Sequence, residues 1–281
     1  MKPRIKLDIS FGFVQQIRLA HALTESNFPI VISKTDSPKF SLLEEKFGMQ
    51  FIEGEAGDIH LSKQLGIVHH KPSVNVGNLR RPLIFPHVIV EYCRTLWKCE
   101  REHKYSFAGL VTQKRKELIQ DWVTKNLHGH ASQLPTRNRV KQKLYSLIGW
   151  DDIQKKQIGD LVFWSSTRGR RFPIKAWDDD YFKFLANSQF VLCPSGDYVW
   201  SYRFFEAILC GAIPIVEQSC HAYKGFRFLH LHDSPQDIEW SQEDAEHNFK
   251  LCVERITLPI DVLNKEIKKL WLEIPEKSWV S

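Results

Sequence analysis

The sequence has no uninterrupted apolar segment of 18 residues, and its N-terminal stretch MKPRIKLDISFGF has no continuous apolar core. A helix that crosses a bilayer needs about 20 mainly apolar residues. The sequence therefore predicts neither a signal peptide nor a membrane anchor. We expect a soluble chain located in the cytoplasm.

The chain also has few cysteines, and none of the six forms a Cys-x-x-Cys pair. No His/Cys cluster has zinc spacing. Cys193, Cys210 and Cys252 fall in apolar runs, which is typical of small buried side chains in a reducing compartment. Structural disulfides and a zinc centre are not expected.

No internal repeat, low-complexity linker or strong charge bias is present. The net charge is +6, which is mildly basic and is no nucleic-acid signature by itself. The two basic segments, residues 137–143 and 168–171, are short. We interpret them as solvated surface or as a wall facing an anionic ligand, and we expect no nucleic-acid partner.

What the chain does have is alternating strand and helix patterns through both halves of its 281 residues. This alternation predicts an α/β protein with mostly parallel sheets. We predict two tandem Rossmann-like domains facing a central cleft, over residues 1–102 and 103–260. Residues 261–281 are predicted to form a helix that packs back on the first domain. Shorter strands are predicted at Ile67–His69 and Leu83–Phe85, and a long helix at Val88–Glu102.

The most informative segment is FVLCPSGDYVWSYRFFEAILCGAIPIV, residues 190–216. Its apolar run followed by Pro194 and Gly196 predicts a buried strand and a turn. A helix is predicted from Ser201 to Cys210, capped by Ser201 and ended by Gly211. A helix that starts just beyond a strand's carboxyl end is where open α/β sheets bind ligands and where phosphate is favoured.

This segment resembles the exostosin-type glycosyltransferases. The resemblance is specific over about residues 178–220 and weaker over 105–177. The matching positions are Cys193, Pro194, Gly196, Ser201, Arg203, Glu206, Ala207, Ile213, Pro214 and Ile215. Many family members have arginine where this chain has Ser195. Because an anchor is not expected here, the chain is also similar to the soluble exostosin-like proteins of large algal viruses, some of which look like xylosyltransferases acting on capsid glycans.

The resemblance implies a GT-B enzyme that inverts the anomeric centre and binds its donor mainly in the C-terminal domain. It implies a UDP-sugar donor, with UDP-xylose as the best guess, and a hydroxyl of a glycan or glycoprotein as acceptor. Fixed cations and helix N-termini stabilise a departing diphosphate without a metal, so no cofactor is expected.

Within that resemblance, Arg203 is the candidate for the diphosphate and Glu206 for the ribose hydroxyls. The alternative is an i, i+3 ion pair between them on a solvent face. Ser195, Gly196 and Ser201 would supply donors to phosphate, or would serve only as turn and cap. Lys114 and Arg115 follow a predicted strand and are further diphosphate candidates, against a solvated loop. Tyr198 is a candidate for stacking on a base or sugar, against simple packing.

An inverting transfer needs a base that deprotonates the acceptor hydroxyl. In the GT-B layout this base comes from the first domain. The candidates, of which one is expected to act, are Asp8, Glu53, Asp58, His69 and His70. Each has an ordinary structural alternative as a cap or a surface group.

Asp178–Asp180 forms an acidic run that is open to two interpretations. It is either the N-terminal turn of a helix or a metal site of a metal-dependent GT-A transferase. We favour the helix turn. The other alternative function is a catalytically silent protein that binds nucleotide sugars or glycans.

Overall fold

The computed structural model describes residues 2–61, 65–127, 154–166, 176–234 and 238–273, together with Leu134, Leu144 and Leu147. The chain forms two compact units. The first unit comprises Met1–Tyr92, Phe172–Asp178 and Val253–Ser281, and the second comprises Cys93–Arg171 and Asp179–Cys252. The acceptor and donor roles predicted for the two domains stay predictions.

The first unit contains a four-stranded parallel sheet in the order β3-β2-β1-β4. These strands are short: β1 (Ile5–Lys6), β2 (Ile30–Ile32), β3 (Ile52–Glu53) and β4 (Ile59–His60). Helices α1 (Val14–Thr24) and α2 (Ser41–Phe47) connect the first three strands. The apolar side chains of β1, β2 and α1 are buried, and this burial holds the sheet together.

A second sheet in this unit is antiparallel, which the sequence did not predict. It has the order β5-β6-β7, with β5 (Leu65–Val68), β6 (Ser73–Val76) and β7 (Leu79–Arg81). The predicted strand at Ile67–His69 is therefore corrected, since β5 ends at Val68. Leu83–Phe85 is buried by its apolar side chains, but it forms no strand because its backbone does not pair with a neighbouring strand.

Two helices have residues in both units. They are α3 (His87–Thr95) and, later in the chain, the helix Gln242–Ile256. Helix α3 ends seven residues before the predicted Glu102. The C-terminal helix of the described chain, Ile260–Glu273, belongs to the first unit. Its Asn264 Oδ1 accepts from Asn27 N at 2.7 Å, and its Glu266 Oε1 accepts from Asn78 N at 2.7 Å.

The second unit is built on a six-stranded sheet in the order β13-β12-β11-β8-β10-β9. All neighbours are parallel except the edge pair of β9 and β10. The strands are β8 (His103–Leu110), β9 (Gln154–Ile158), β10 (Leu161–Ser166), β11 (Ser188–Cys193), β12 (Ile213–Val216) and β13 (Leu229–His230). The α/β class with mostly parallel sheets is confirmed.

The helices of this unit are α4 (Gln113–Asn126), α5 (Asp179–Ala186), α6 (Tyr202–Leu209) and the larger part of the helix at Gln242–Ile256, which we call α7. The C-terminal helix of the first unit, Ile260–Glu273, is α8. The predicted helix Ser201–Cys210 corresponds to α6, with Ser201 as its N-cap. Gly211 follows at φ +76°, a conformation that glycine adopts without strain, and turns the chain into β12.

A buried arginine fixes the far end of this strand–helix unit. Arg101 donates through Nη1 to the carbonyl oxygens of Ala186 at 2.8 Å, Ser188 at 3.0 Å and Cys210 at 3.1 Å. Burial lowers the pKa of Arg101 to about 10, so it remains charged at neutral pH. The C-terminal end of α6 and the start of β11 are thereby tied together.

Candidate functional site

Four parallel strands of the second unit, β8, β11, β12 and β13, end at the same edge of the sheet. The chain leaves this edge in the loops that begin at Val111, Pro194 and Glu217. Helices α4 and α6 start just beyond it, so their N-terminal amides lie there too. We call this the arginine edge, after Arg115 and Arg203, which are described next.

Arg203 lies in the first turn of α6 and is only 7% exposed. Its Nε donates to the Ala108 carbonyl at 2.7 Å, and its Cζ lies 4.5 Å from the centroid of the Phe107 ring. Its Nη1 is buried and has no hydrogen-bond partner among the described residues. A buried guanidinium nitrogen in this state is a ready donor for an anionic ligand.

Arg115 is the second guanidinium of this edge and lies in the first turn of α4. Its Nη1 donates to Leu110 O at 3.0 Å and its Nε donates to Ser195 O at 3.1 Å. Burial, and then the positive charge of Arg203, lowers the pKa of Arg115 to about 10. The Arg115 guanidinium thus remains charged near pH 7, and backbone carbonyls hold both arginines in place.

Two glycines make room for these arginines. A Cβ at Gly109 would lie 2.2 Å from Arg203 Nη2, and Gly109 has a φ of +145°. A Cβ at Gly196 would lie 2.3 Å from Arg115 Nη2. The close approach of backbone and guanidinium therefore depends on glycine at both positions.

Glu206 lies one turn after Arg203 and is only 2% exposed, so the two side chains do not lie on a solvent face. Its Oε2 accepts a hydrogen bond from Tyr181 OH at 2.7 Å. Tyr181, on α5, was not singled out from the sequence. Nothing local marks it, since its contact depends on how α5 packs beside α6.

Most hydrogen-bond donors of the turn after β11 are bound to other groups of the protein. Ser195 Oγ donates to Val199 O at 3.1 Å, and Gly196 N donates to Tyr198 O at 3.2 Å. Ser195 N donates to Glu217 Oε2 at 3.2 Å. Tyr198 is 42% exposed. These contacts fit the turn-chemistry alternative for Ser195 and Gly196.

Ser201 caps α6, as the sequence predicts, and is held by a buried tyrosine. Its Oγ accepts from Arg203 N at 3.2 Å, and its own backbone N donates to Tyr223 OH at 2.7 Å. The Tyr223 ring stacks on Phe204 at 3.7 Å, and burial raises the pKa of this phenol. The start of the helix that carries Arg203 is therefore rigidly placed.

Glu217 is a residue of this edge that sequence reasoning missed. Its Oε1 lies 3.1 Å from the exposed Lys114 Nζ. Partial burial acts to raise its pKa, but the hydrogen bonds from Ser195 and Lys114 outweigh it and hold the pKa of Glu217 below its usual value. Its position directly after β12, at the same edge of the sheet, is the feature by which it could have been identified.

The predicted bases in the first unit fall at different places. Asp8 follows β1 and Glu53 ends β3, so both lie at the carboxyl edge of the parallel sheet. Asp58 precedes β4 and lies at the opposite, amino edge. There it pairs with Arg4 at 3.3 Å, and the hydrogen bonds from Arg4 lower the pKa of Asp58. A carboxylate held in this way is a poor base.

His69 and His70 lie in the turn between β5 and β6, beyond the end of β5 at Val68. The His69 ring lies 5.2 Å from the Phe13 ring. Asp8, in contrast, contacts a histidine that the sequence did not single out. Its Oδ2 lies 2.5 Å from His60 Nδ1. We call this pair, Asp8 and His60, the dyad.

Among the residues that the structure describes, one set of possible metal ligands comes together. His230, His232 and Asp233 place ligand atoms within 4.8 Å of one another. The two imidazole rings stack at 4.9 Å with planes only 21° apart, and His230 Nε2 lies 3.0 Å from Ser219 Oγ. Because the two imidazole planes are nearly parallel, the lone pairs of their ring nitrogens do not converge on one point. A bound metal ion needs ligand atoms that converge on it, so this arrangement is a poor metal site.

Asp179 and Asp180 lie in the first turn of α5, and Asp179 pairs with Lys183 one turn on. The basic segments 137–143 and 168–171 lie outside the described residues. Within the ranges that the structure describes, no helix is both long and apolar enough to cross a membrane.

Comparison with known proteins now assigns this architecture. The exostosin GT47 domain matches residues 81–221, which is half of the 281-residue chain. The class of protein is a glycosyltransferase. The chain belongs to the exostosin GT47 family. Its two α/β units, each with a parallel sheet, fit the Rossmann-like GT-B fold expected of that family.

Solved structures with related architecture are similar to this chain at low identity. HepE of Anabaena, solved with UDP-glucose, is 11% identical with a TM-score of 0.47, over 97% of this chain and 100% of that chain. A putative UDP-N-acetylglucosamine 2-epimerase of Listeria monocytogenes is 9% identical with a TM-score of 0.39, over 99% of this chain and 90% of that chain.

Proposed function

We propose that the protein transfers a sugar from a UDP-sugar to a hydroxyl of a glycan, with inversion of the anomeric centre. The single observation that carries this proposal is the buried guanidinium of Arg203. It is anchored through Nε to Ala108 O, and its buried Nη1 has no described partner. Family membership supplies the chemical class, and this group supplies the charge that the reaction needs.

The departing diphosphate accumulates negative charge as the glycosidic bond breaks. Arg203 and Arg115 are fixed in place before the reaction, so they stabilise that charge without reorganising. Their low exposure strengthens the interaction, because water screens a buried charge less. The N-terminal amides of α4 and α6 lie at the same edge and add to the favourable field.

Glu206 is proposed to bind the ribose hydroxyls, with Tyr181 holding one of its carboxylate oxygens. Tyr198 is the proposed stacking residue, since its ring is partly exposed. With two fixed guanidinium groups available, transfer is proposed to need no metal ion. Xylose is the first sugar to test, on the similarity to soluble exostosin-like xylosyltransferases.

The experiment is a thermal-shift screen with UDP, UDP-xylose, UDP-glucose and the corresponding GDP compounds, each with and without EDTA. UDP and one UDP-sugar should raise the Tm with the logarithm of their concentration. At a concentration of 100 times Kd the stabilisation should be about 2.7 kcal/mol. Release of UDP on addition of a glycan acceptor should then be measured with the best donor.

Each outcome of this screen decides between stated functions. Stabilisation that persists in EDTA, followed by UDP release, supports the proposal. Stabilisation without transfer to any acceptor would make the protein a binding module. Stabilisation or transfer that EDTA abolishes would overturn the metal-independent mechanism. No response to any nucleotide would overturn the donor site itself.

A further inference from the structure

The dyad arises from the pairing of two strands that are distant in sequence. Strands β1 and β4 are parallel neighbours, with Lys6 opposite His60. Asp8 follows β1 and His60 ends β4, so both reach the carboxyl edge of the sheet although 52 residues separate them. Ligands of open α/β sheets bind at this edge.

The contact within the dyad determines which ring nitrogen of His60 can accept a proton. Asp8 Oδ2 lies 2.5 Å from His60 Nδ1. A carboxylate at this position accepts the Nδ1 proton, which fixes the tautomer and leaves the Nε2 lone pair as the proton acceptor. The side chains are 40% and 55% exposed for Asp8 and His60, so a substrate hydroxyl can approach the ring.

We propose that His60 is the catalytic base for the acceptor hydroxyl and that Asp8 is its positioning residue. This inference rests on the proposed transferase function. In the step, His60 Nε2 takes the proton of the acceptor hydroxyl while that oxygen forms a bond to the anomeric carbon. The bond from that carbon to the diphosphate breaks, and UDP leaves with its electron pair.

The other predicted bases have weaker claims on this role. Asp58 lies at the amino edge and is paired with Arg4. His69 and His70 occupy a hairpin turn of the antiparallel sheet. Glu53 shares the carboxyl edge, but it ends β3, which is separated from β1 by β2. A base oriented by a second group is the arrangement that general-base catalysis favours.

The first test is His60→Ala. We expect kcat to fall by about 10²- to 10⁴-fold, the usual contribution of a general base. The KM for the UDP-sugar and the Tm shift caused by UDP should remain those of the wild type. Added imidazole should restore part of the lost rate, because it replaces the missing group. His247→Ala, at a half-buried histidine on α7, is the matched control and should keep wild-type rates.

The second test is a double-mutant cycle with Asp8→Asn. Alone, this variant should lower kcat by about 10²-fold, because the imidazole loses its fixed tautomer. In the His60→Ala background it should cause almost no further loss, because a residue that acts through His60 has nothing left to position. A purely structural role for Asp8 would instead lower activity in both backgrounds.

The outcomes separate this inference from the function on which it rests. His60→Ala that binds UDP normally and transfers sugar within about threefold of the wild-type rate would overturn the base assignment alone. Loss of the UDP response in His60→Ala would also overturn it, since the residue would then serve donor binding or folding. If His60→Ala does not fold, His60→Gln takes its place in the same cycle. A wild-type protein that binds no UDP-sugar would contradict the proposed function instead.

Discussion

The two parallel sheets present opposite kinds of chemistry at their carboxyl edges. At the arginine edge Arg203 is only 7% exposed, and backbone carbonyls hold both Arg203 and Arg115. At the edge of the first unit Asp8 and His60 are exposed and pair with each other. One edge holds a permanent charge in place, whereas the other holds a group that can exchange a proton.

This difference matches what two partners in a glycosyl transfer require. Stabilising a leaving diphosphate calls for fixed positive charge in a poorly screened place. Activating an acceptor calls for a base that substrate can reach and that is neutral before it acts. The comparison therefore predicts that variants of the arginine edge lose donor binding, while variants of the dyad lose turnover alone.

Among variants of the arginine edge, the largest effect is expected for Arg203→Ala. Loss of one preorganised donor to a developing charge costs about 10²- to 10³-fold in kcat, and donor affinity should fall as well. Steady-state kinetics and UDP titration by calorimetry check both. Arg203→Lys should recover little, because an ammonium cannot donate to Ala108 O and to the phosphate in the same fork geometry.

Lys125→Ala is the charge-matched control for Arg203→Ala, since Lys125 is an exposed cation in the last turn of α4. It should leave donor affinity within about twofold at moderate salt, because distant exposed charges are screened. If Arg203→Ala bound UDP as tightly as Lys125→Ala, the contrast between the two edges would fail.

The sequence predicted the second unit better than the first. Helix α6 occupies Tyr202–Leu209 against a predicted Ser201–Cys210, and Ser201 is its N-cap as predicted. In this segment the apolar strand, the serine N-cap and the glycine after the helix all indicate the same element boundaries. The boundaries are therefore specified by more than one local feature. The family resemblance rests on the same residues.

In the first unit the local signals were weaker. Leu83–Phe85 is as apolar as a strand, yet an apolar run alone cannot show whether a ladder partner exists. Asp8 was among the candidate bases predicted from the sequence. His60 was missed because its role depends on β4 lying beside β1, and strand order cannot be read from local pattern.

An intermediate effect is expected for Gly109→Ala, which tests whether the arginine edge depends on close packing. The new methyl group would meet Arg203 Nη2, and φ +145° is strained for alanine. We expect a loss of stability of about 1–3 kcal/mol and at least about tenfold weaker UDP binding. Chemical unfolding and UDP titration measure these separately.

Gly12→Ala, in the loop after β1, is the matched substitution in the first unit. The nearest heavy atom to its Cβ would be Ser10 Oγ at 3.5 Å, an ordinary contact. It should change UDP affinity less than about twofold, because no guanidinium lies against it. Equal UDP affinities in the two alanine variants would show that the guanidinium tolerates displacement and would contradict the packing argument.

The smallest effect concerns stability at acidic pH, and it distinguishes the two units by their buried basic side chains. Arg101 of the second unit stays charged, since its pKa is about 10, whereas His21 of the first unit is 1% exposed and burial lowers its pKa to about 4 from 6.5. The unfolded chain therefore binds a proton that the folded chain does not. This stability is present above about pH 6.5 and is lost as the pH falls towards 4.

Between pH 7.5 and pH 5 the His21 contribution amounts to about 2 kcal/mol of unfolding free energy. Urea unfolding at the two pH values should show this loss in the wild type and a correspondingly smaller loss in His21→Gln, which has no proton to gain. His247→Gln, at a half-buried position of α7, should retain the wild-type difference. A wild-type difference that survives in His21→Gln would mean that another group of the chain carries the acid sensitivity.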